Sequence, residues 1–198
     1  MRRKRQTSIF EDAREAGPYD DFPILPPDME PQVHLSRNDR PQPFYLICER
    51  DTVLAQVSGE AVVAFAEGPV RYFTLEPGDH VYVPAGTPHQ VRPRTESVQL
   101  RYKAKAPGLE GVAWYCPTCG AEVAREEWDT AEELPQDAYW RISQAFNADP
   151  ARRQCSRCGT EHPPADLTSI RWPETAAAIR AATAEPPAAS AVAPAPAH

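Results

Sequence analysis

The sequence predicts an all-β protein: one small barrel or sandwich of short strands, followed by a metal-binding ribbon with a single linking helix. Three observations carry this reading. Residues 21–105 hold repeated short runs rich in Val, Tyr, Phe and Leu, separated by Gly, Pro, Asp and Ser. Turn signals at such short, regular spacing mark sandwiches and barrels. Proline accounts for 23 of 198 residues, roughly twice its usual share, and it disfavours helix interiors and central strands. Two CxxC pairs follow the strand region. The length allows one full domain with a small addition.

The elements follow in order. Residues 1–20 are charged and open with Arg2, Arg3, Lys4 and Arg5. They read as a flexible solubilising arm that forms a helix only when docked. Residues 21–110 form the β-domain. Its predicted strands are FYLIC (44–48), TVLAQV (52–57), EAVVAF (60–65), RYFTL (71–75), HVYVP (80–84) and SVQLRYK (97–103). Residues 111–173 carry the cysteines. Between the two pairs, Tyr139, Ile142 and Phe146 recur at helical spacing, with Pro135 at the start and Pro150 at the stop. From about residue 174 the chain turns to Ala and Pro, and residues 174–198 read as disordered.

Composition excludes several classes. The net charge is −7, whereas a protein built to neutralise phosphates is usually basic. The cysteine region, 111–165, holds nine acidic and five basic residues, which argues against a nucleic-acid ribbon. No apolar run is long enough for a membrane span. No apolar stretch follows the N-terminal charges, so no secretory leader is expected. The expected compartment is the cytoplasm, where spaced cysteines read as a metal site rather than disulfides.

Cys116 and Cys119 in YCPTCG, and Cys155 and Cys158 in QCSRCG, form two knuckles. The glycine after each pair lets the backbone curl until both thiolates face one point. Two knuckles make a closed tetrahedral S4 site with a structural role, suited to iron or zinc. Cys48 lies inside an apolar strand and reads as a buried thiol.

The segment GDHVYVPAGTPH, from Gly78 to His89, fits the second cupin motif, G-x5-P-x-G-x2-H. A strand, a tight turn at Pro84–Thr87 and a returning strand would point His89 inward. His34 is the histidine upstream of these strands. Two inward imidazoles would begin a two-His-one-carboxylate iron(II) site. His80 and Asp39 are possible substitute ligands.

With PAGTPH, PGLEGVAWYCPTCG and the separation of the two CxxC pairs in view, residues 22–166 resemble the bacterial 3-hydroxyanthranilate 3,4-dioxygenases. These are single-domain cupin (jelly-roll) barrels with a C-terminal rubredoxin-like metal site. The resemblance implies Fe(II)-dependent ring cleavage of 3-hydroxyanthranilate or a related aminophenol or catechol. It implies a small aromatic substrate, dioxygen and a homodimer. It places barrel ligands at His34, Gln42 and His89, and the structural ligands at the four cysteines. Arg92 and Arg94 flank Pro93, which stands where the family has a substrate arginine. The departures are specific. Gln42 replaces the family's glutamate, Glu30 replaces another arginine, and the glutamate that meets the substrate amine maps near Tyr102 or Lys103. An amide in place of a carboxylate weakens iron(II) binding. Glu30 would repel a substrate carboxylate. The alternative expectation is a catalytically divergent cupin that binds a small molecule without oxidising it.

Overall fold

The computed structural model describes residues 7–184. The basic run Arg2, Arg3, Lys4 and Arg5 and the stretch 185–198 lie outside these residues. The chain opens with helix α1 (Ile9–Glu15), then strands β1 (Phe22–Pro23), β2 (Gln32–Asn38), β3 (Tyr45–Cys48), β4 (Thr52–Ser58), β5 (Ala61–Phe65), β6 (Tyr72–Leu75), β7 (His80–Val83), β8 (His89–Pro93), β9 (Ser97–Lys103), β10 (Leu109–Tyr115) and β11 (Glu122–Asp129). Helix α2 (Pro135–Ala148) and helix α3 (Trp172–Ala184) complete it. The strands form a cupin-like sandwich of two antiparallel sheets, ordered β1-β2-β9-β4-β7 and β11-β10-β3-β8-β5-β6.

The two faces of the five-stranded sheet divide unusually. Val33, Leu35, Ala55, Val98 and Leu100 point outward and pack with Ala13 of α1 and Ile24. Because successive strand residues alternate sides, His34 and Ser36 of β2 and Gln99, Arg101 and Lys103 of β9 point inward. The opposing sheet supplies the apolar interior through Leu46, Val63, Val91 and Val112.

An aromatic cluster binds the helices to the sheets. Trp114 of β10 stacks on Phe146 of α2 at 3.9 Å between centroids. Phe44 meets Tyr139 at 5.0 Å and Trp172 at 5.6 Å. Each such pair contributes about 0.5–1.5 kcal/mol beyond area burial. Pro135 starts α2, as its missing N–H costs nothing at a first turn.

Three sequence expectations are corrected. The expected disordered tail is helical up to Ala184, because Trp172, Ala176 and Ile179 form a buried stripe against the rest of the protein. The expected boundary at residue 110 falls inside β10, which pairs with β3 on one side and β11 on the other. The expected loose arm, 1–20, carries docked helix α1 in place of a loose segment over its described part, and Ala13, Tyr19 and Asp20 within it are buried.

Candidate functional site

The four cysteines converge. Their sulfurs all lie within 4.8 Å of one another. Cys116 Sγ stands 3.5 Å from Cys158 Sγ, and Cys119 Sγ 3.6 Å from Cys155 Sγ. A tetrahedral thiolate site with arms of about 2.3 Å has edges of roughly 3.8 Å, so the quartet fits a metal ion. Both knuckles are built alike. Gly120 N donates to Cys116 O and Gly159 N to Cys155 O, each at 2.9 Å. Both glycines have positive φ, 70° and 74°, where a side chain would be strained. Four protein ligands would leave no open coordination position, the arrangement of structural rather than catalytic metal sites.

The sandwich interior is different. His89 is fully buried on β8. Its Nδ1 lies 3.0 Å from Thr87 O, which assigns the ring proton to Nδ1. Its Nε2 then accepts from Arg101 Nη1 at 2.7 Å. Burial and the adjacent guanidinium push the His89 pKa down to about 3, so the ring is neutral. His34 Nδ1 bonds Asp21 O at 2.9 Å. Burial and Lys103 push its pKa down to about 4.

Two cations share this space with two carboxylates. Arg101 Nε lies 4.0 Å from Asp21 Oδ2. Lys103 Nζ lies 2.5 Å from Glu110 Oε1, with both side chains buried. Burial alone would raise the Asp21 pKa, but Arg101, Lys103, His34 and the Ser36 hydroxyl together hold it below the ordinary carboxylate value. The charges cancel, and each carboxylate has a cationic partner.

The inferred iron(II) site does not fit these residues. The Nε2 lone pair that a metal would need is taken by Arg101. Gln42 Oε1 accepts from Val91 N at 3.3 Å, and Gln42 N donates to Val91 O at 2.8 Å, so this side chain stitches its loop to β8. Among the described residues, the cysteines are the one convergent group of three or more His, Cys, Asp or Glu ligands. A cavity beside Asp21 and Arg101, lined by neither His34 nor His89, measures about 10 Å³. That holds about one water, whereas small-molecule pockets usually span roughly 300–1,000 Å³.

Other expected site residues lie outside this centre. Arg92 and Arg94 are exposed, and Arg92 bonds Gln90 Oε1 and the Tyr45 hydroxyl on the outer side of β8. His80 is exposed and bonds Gly78 O. Asp39 pairs with Arg40 at the surface. Glu30 Oε2 accepts from Lys105 N. Sequence reasoning missed Asp21, Arg101 and Glu110. The signal for Arg101 was the alternation in SVQLRYK, which puts Gln99, Arg101 and Lys103 on one face.

Comparisons with known proteins agree with this scaffold. A family model described as a JmjC domain matches residues 47–111. A 3-hydroxyanthranilate 3,4-dioxygenase of a Jannaschia species is 32% identical over 132 residues, covering 64% of this chain and 66% of that protein. One from Ruegeria pomeroyi is 31% identical over 115 residues, covering 54% and 61%. Over the matched residues the chain is similar to the bacterial 3-hydroxyanthranilate 3,4-dioxygenases. It spans just under two thirds of the length of these curated relatives. Among solved structures, the hydroquinone 1,2-dioxygenase PnpCD is similar with a TM-score of 0.44 and 22% identity, over 50% of this chain and 72% of that one. Among the described residues, no helix is long and apolar enough to cross a membrane.

Proposed function

We propose that this chain is a catalytically divergent cupin: its sandwich interior carries out no oxidative turnover, any small molecule it binds sits outside that interior, and the four-cysteine metal pins the scaffold. One observation carries this reading: Arg101 donates to His89 Nε2 at 2.7 Å, where a catalytic metal would bind. The ion-pair balance supports it. A divalent cation entering between Arg101 and Lys103 would meet like charge and no free carboxylate, and removing a carboxylate from its partner would strand a buried charge.

A second reading is favoured by kinship. The relatives named above are dioxygenases, so iron(II)-dependent cleavage of 3-hydroxyanthranilate or a related aminophenol or catechol is the rival activity, with a small aromatic and dioxygen as partners. It requires Arg101 to leave His89 and the interior to open well beyond 10 Å³. Protein purified without an affinity tag, then given iron(II) anaerobically, separates the two. The expected result is about one metal per chain, retained in His89→Ala, and no oxygen uptake with 3-hydroxyanthranilate. A second metal lost in His89→Ala, together with oxygen uptake, would overturn the proposal.

A further inference from the structure

Backbone strain gathers at residues 19–21. Among the described residues, Tyr19, Asp21 and Ser169 are the non-glycine residues with positive φ, and Tyr19 and Asp21 stand two positions apart at 54° and 45°. That region is rare for a side chain as bulky as Tyr, and such strain persists only where the surroundings over-determine it.

Side chains from three elements do so here. The Trp172 indole of α3 donates to Tyr19 O at 2.8 Å. Gln136 Nε2 of α2 donates to Asp20 O at 2.9 Å and to Asp21 O at 3.1 Å. His34 Nδ1 of β2 also bonds Asp21 O, at 2.9 Å. Tyr19 N donates to Asn38 Oδ1 at 2.9 Å and Asp21 N to Ser36 Oγ at 3.2 Å. The segment leads into β1 at the edge of the five-stranded sheet, but it is held by side chains and not by a strand ladder.

This conformation places Asp21. Its carboxylate reaches the interior, where it accepts from the Ser36 hydroxyl at 3.1 Å and lies 4.0 Å from Arg101 Nε. Arg101 in turn covers His89 Nε2. The Gln136 amide and the Trp172 indole, both buried, donate to the segment and to neither Arg101 nor His89.

We propose that residues 19–21 are a latch: clamped by Gln136 and Trp172, they hold Asp21 inside and Arg101 on His89; released, they relax out of the strained region, withdraw the carboxylate and uncover His89 Nε2. The proposal rests on the closed interior described above and names the element that keeps it closed. An unstrained segment would stay in place when one clamp is lost, whereas this one has an easier conformation to adopt. Arg101 then loses its counter-charge, and a buried cation without a partner is driven toward water.

The test combines hydrogen–deuterium exchange with nitrogen-15 NMR on the full chain, its cysteine metal in place. Gln136→Met removes both amide donors at similar volume, and Trp172→Phe removes the indole N–H while keeping an aromatic ring. Each should speed amide exchange at Tyr19 and Asp21 by at least about fivefold, the scale of one or two lost hydrogen bonds. Each should also speed exchange of the Arg101 guanidinium protons and shift the His89 Nε2 resonance. Ser143→Ala, at another buried position on α2, is the control and should leave all three signals as in the parent. Unchanged exchange at residues 19–21 would overturn the proposal. So would faster exchange there with the Arg101 and His89 signals unaltered, or the same changes in Ser143→Ala. Iron(II) uptake and oxygen consumption enter none of these readouts, so the latch can fail while the reading of the interior stands, and the reverse.

Discussion

Replacing Arg101 with Met tests whether the interior is held by its own ion pairs. Arg101 is 4% exposed, bonds His89 Nε2 at 2.7 Å and faces Asp21 at 4.0 Å. Met keeps much of the side-chain volume and removes the charge. Asp21 then keeps only the Ser36 hydroxyl as a close side-chain partner, with Lys103 farther away. Breaking one member of a buried pair typically costs about 3–5 kcal/mol. For a chain of this length each kcal/mol moves Tm by about 2–4 °C, so Arg101→Met should melt about 6–20 °C below the parent. Thermal circular dichroism with the cysteine metal saturated measures this. The double variant Arg101→Met/Asp21→Asn removes both charges and should recover a large part of the loss, with a coupling of about 0.5–3 kcal/mol. A single variant within about 2 °C of the parent, or a double variant whose loss equals the sum of the singles, would refute the reasoning.

Two further outcomes follow from the same structure. Cys48 is buried, and burial with Glu110 nearby pushes its pKa up to about 12. A thiol reagent at pH 8 should therefore find no fast-reacting Cys48 in the metal-loaded protein, find four thiols after strong chelation and find the fifth only on unfolding. Fast labelling that disappears in Cys48→Ser would contradict this. Gly59 has φ of 70°, and a Cβ there would stand 2.1 Å from Glu96 O. Gly59→Ala should cost at least about 2 kcal/mol through strain and clash, read as a Tm lower by about 4 °C or more; an unchanged Tm would mean the turn is not held as described.

The strands that the sequence made legible are those whose apolar runs end in Gly, Pro or Asp, such as TVLAQV and EAVVAF. β2 escaped because QVHLSRN reads as polar; its two apolar residues, Val33 and Leu35, turn away from the sandwich interior toward α1. β10 and β11 escaped because they looked like part of the cysteine ribbon, and β11 sits at a sheet edge where charges are tolerated. α3 escaped because Ala and Pro suggest nothing to bury, although Trp172, Ala176 and Ile179 recur at helical spacing. At the site, the four cysteines were legible because the ligands lie close in sequence and local turns do the aiming. His89 was legible in the same way, through its turn. Arg101 was not, because a buried cation makes sense only beside Asp21, which lies 80 positions away in the chain and is brought close by folding.

The tie between the two ends of the fold has a consequence for how the chain is made. The Trp172 indole donates to Tyr19 O at 2.8 Å across 153 residues, and Arg171 reaches Glu15 O across 156. Synthesis at about 5–20 residues per second puts roughly 8–30 s between the appearance of the two partners. During that interval the sheets can form, but the N-terminal segment waits without the helix that holds it. The seat that holds residues 19–21 therefore comes into being last, and a chain that stops short of Trp172 would never complete it.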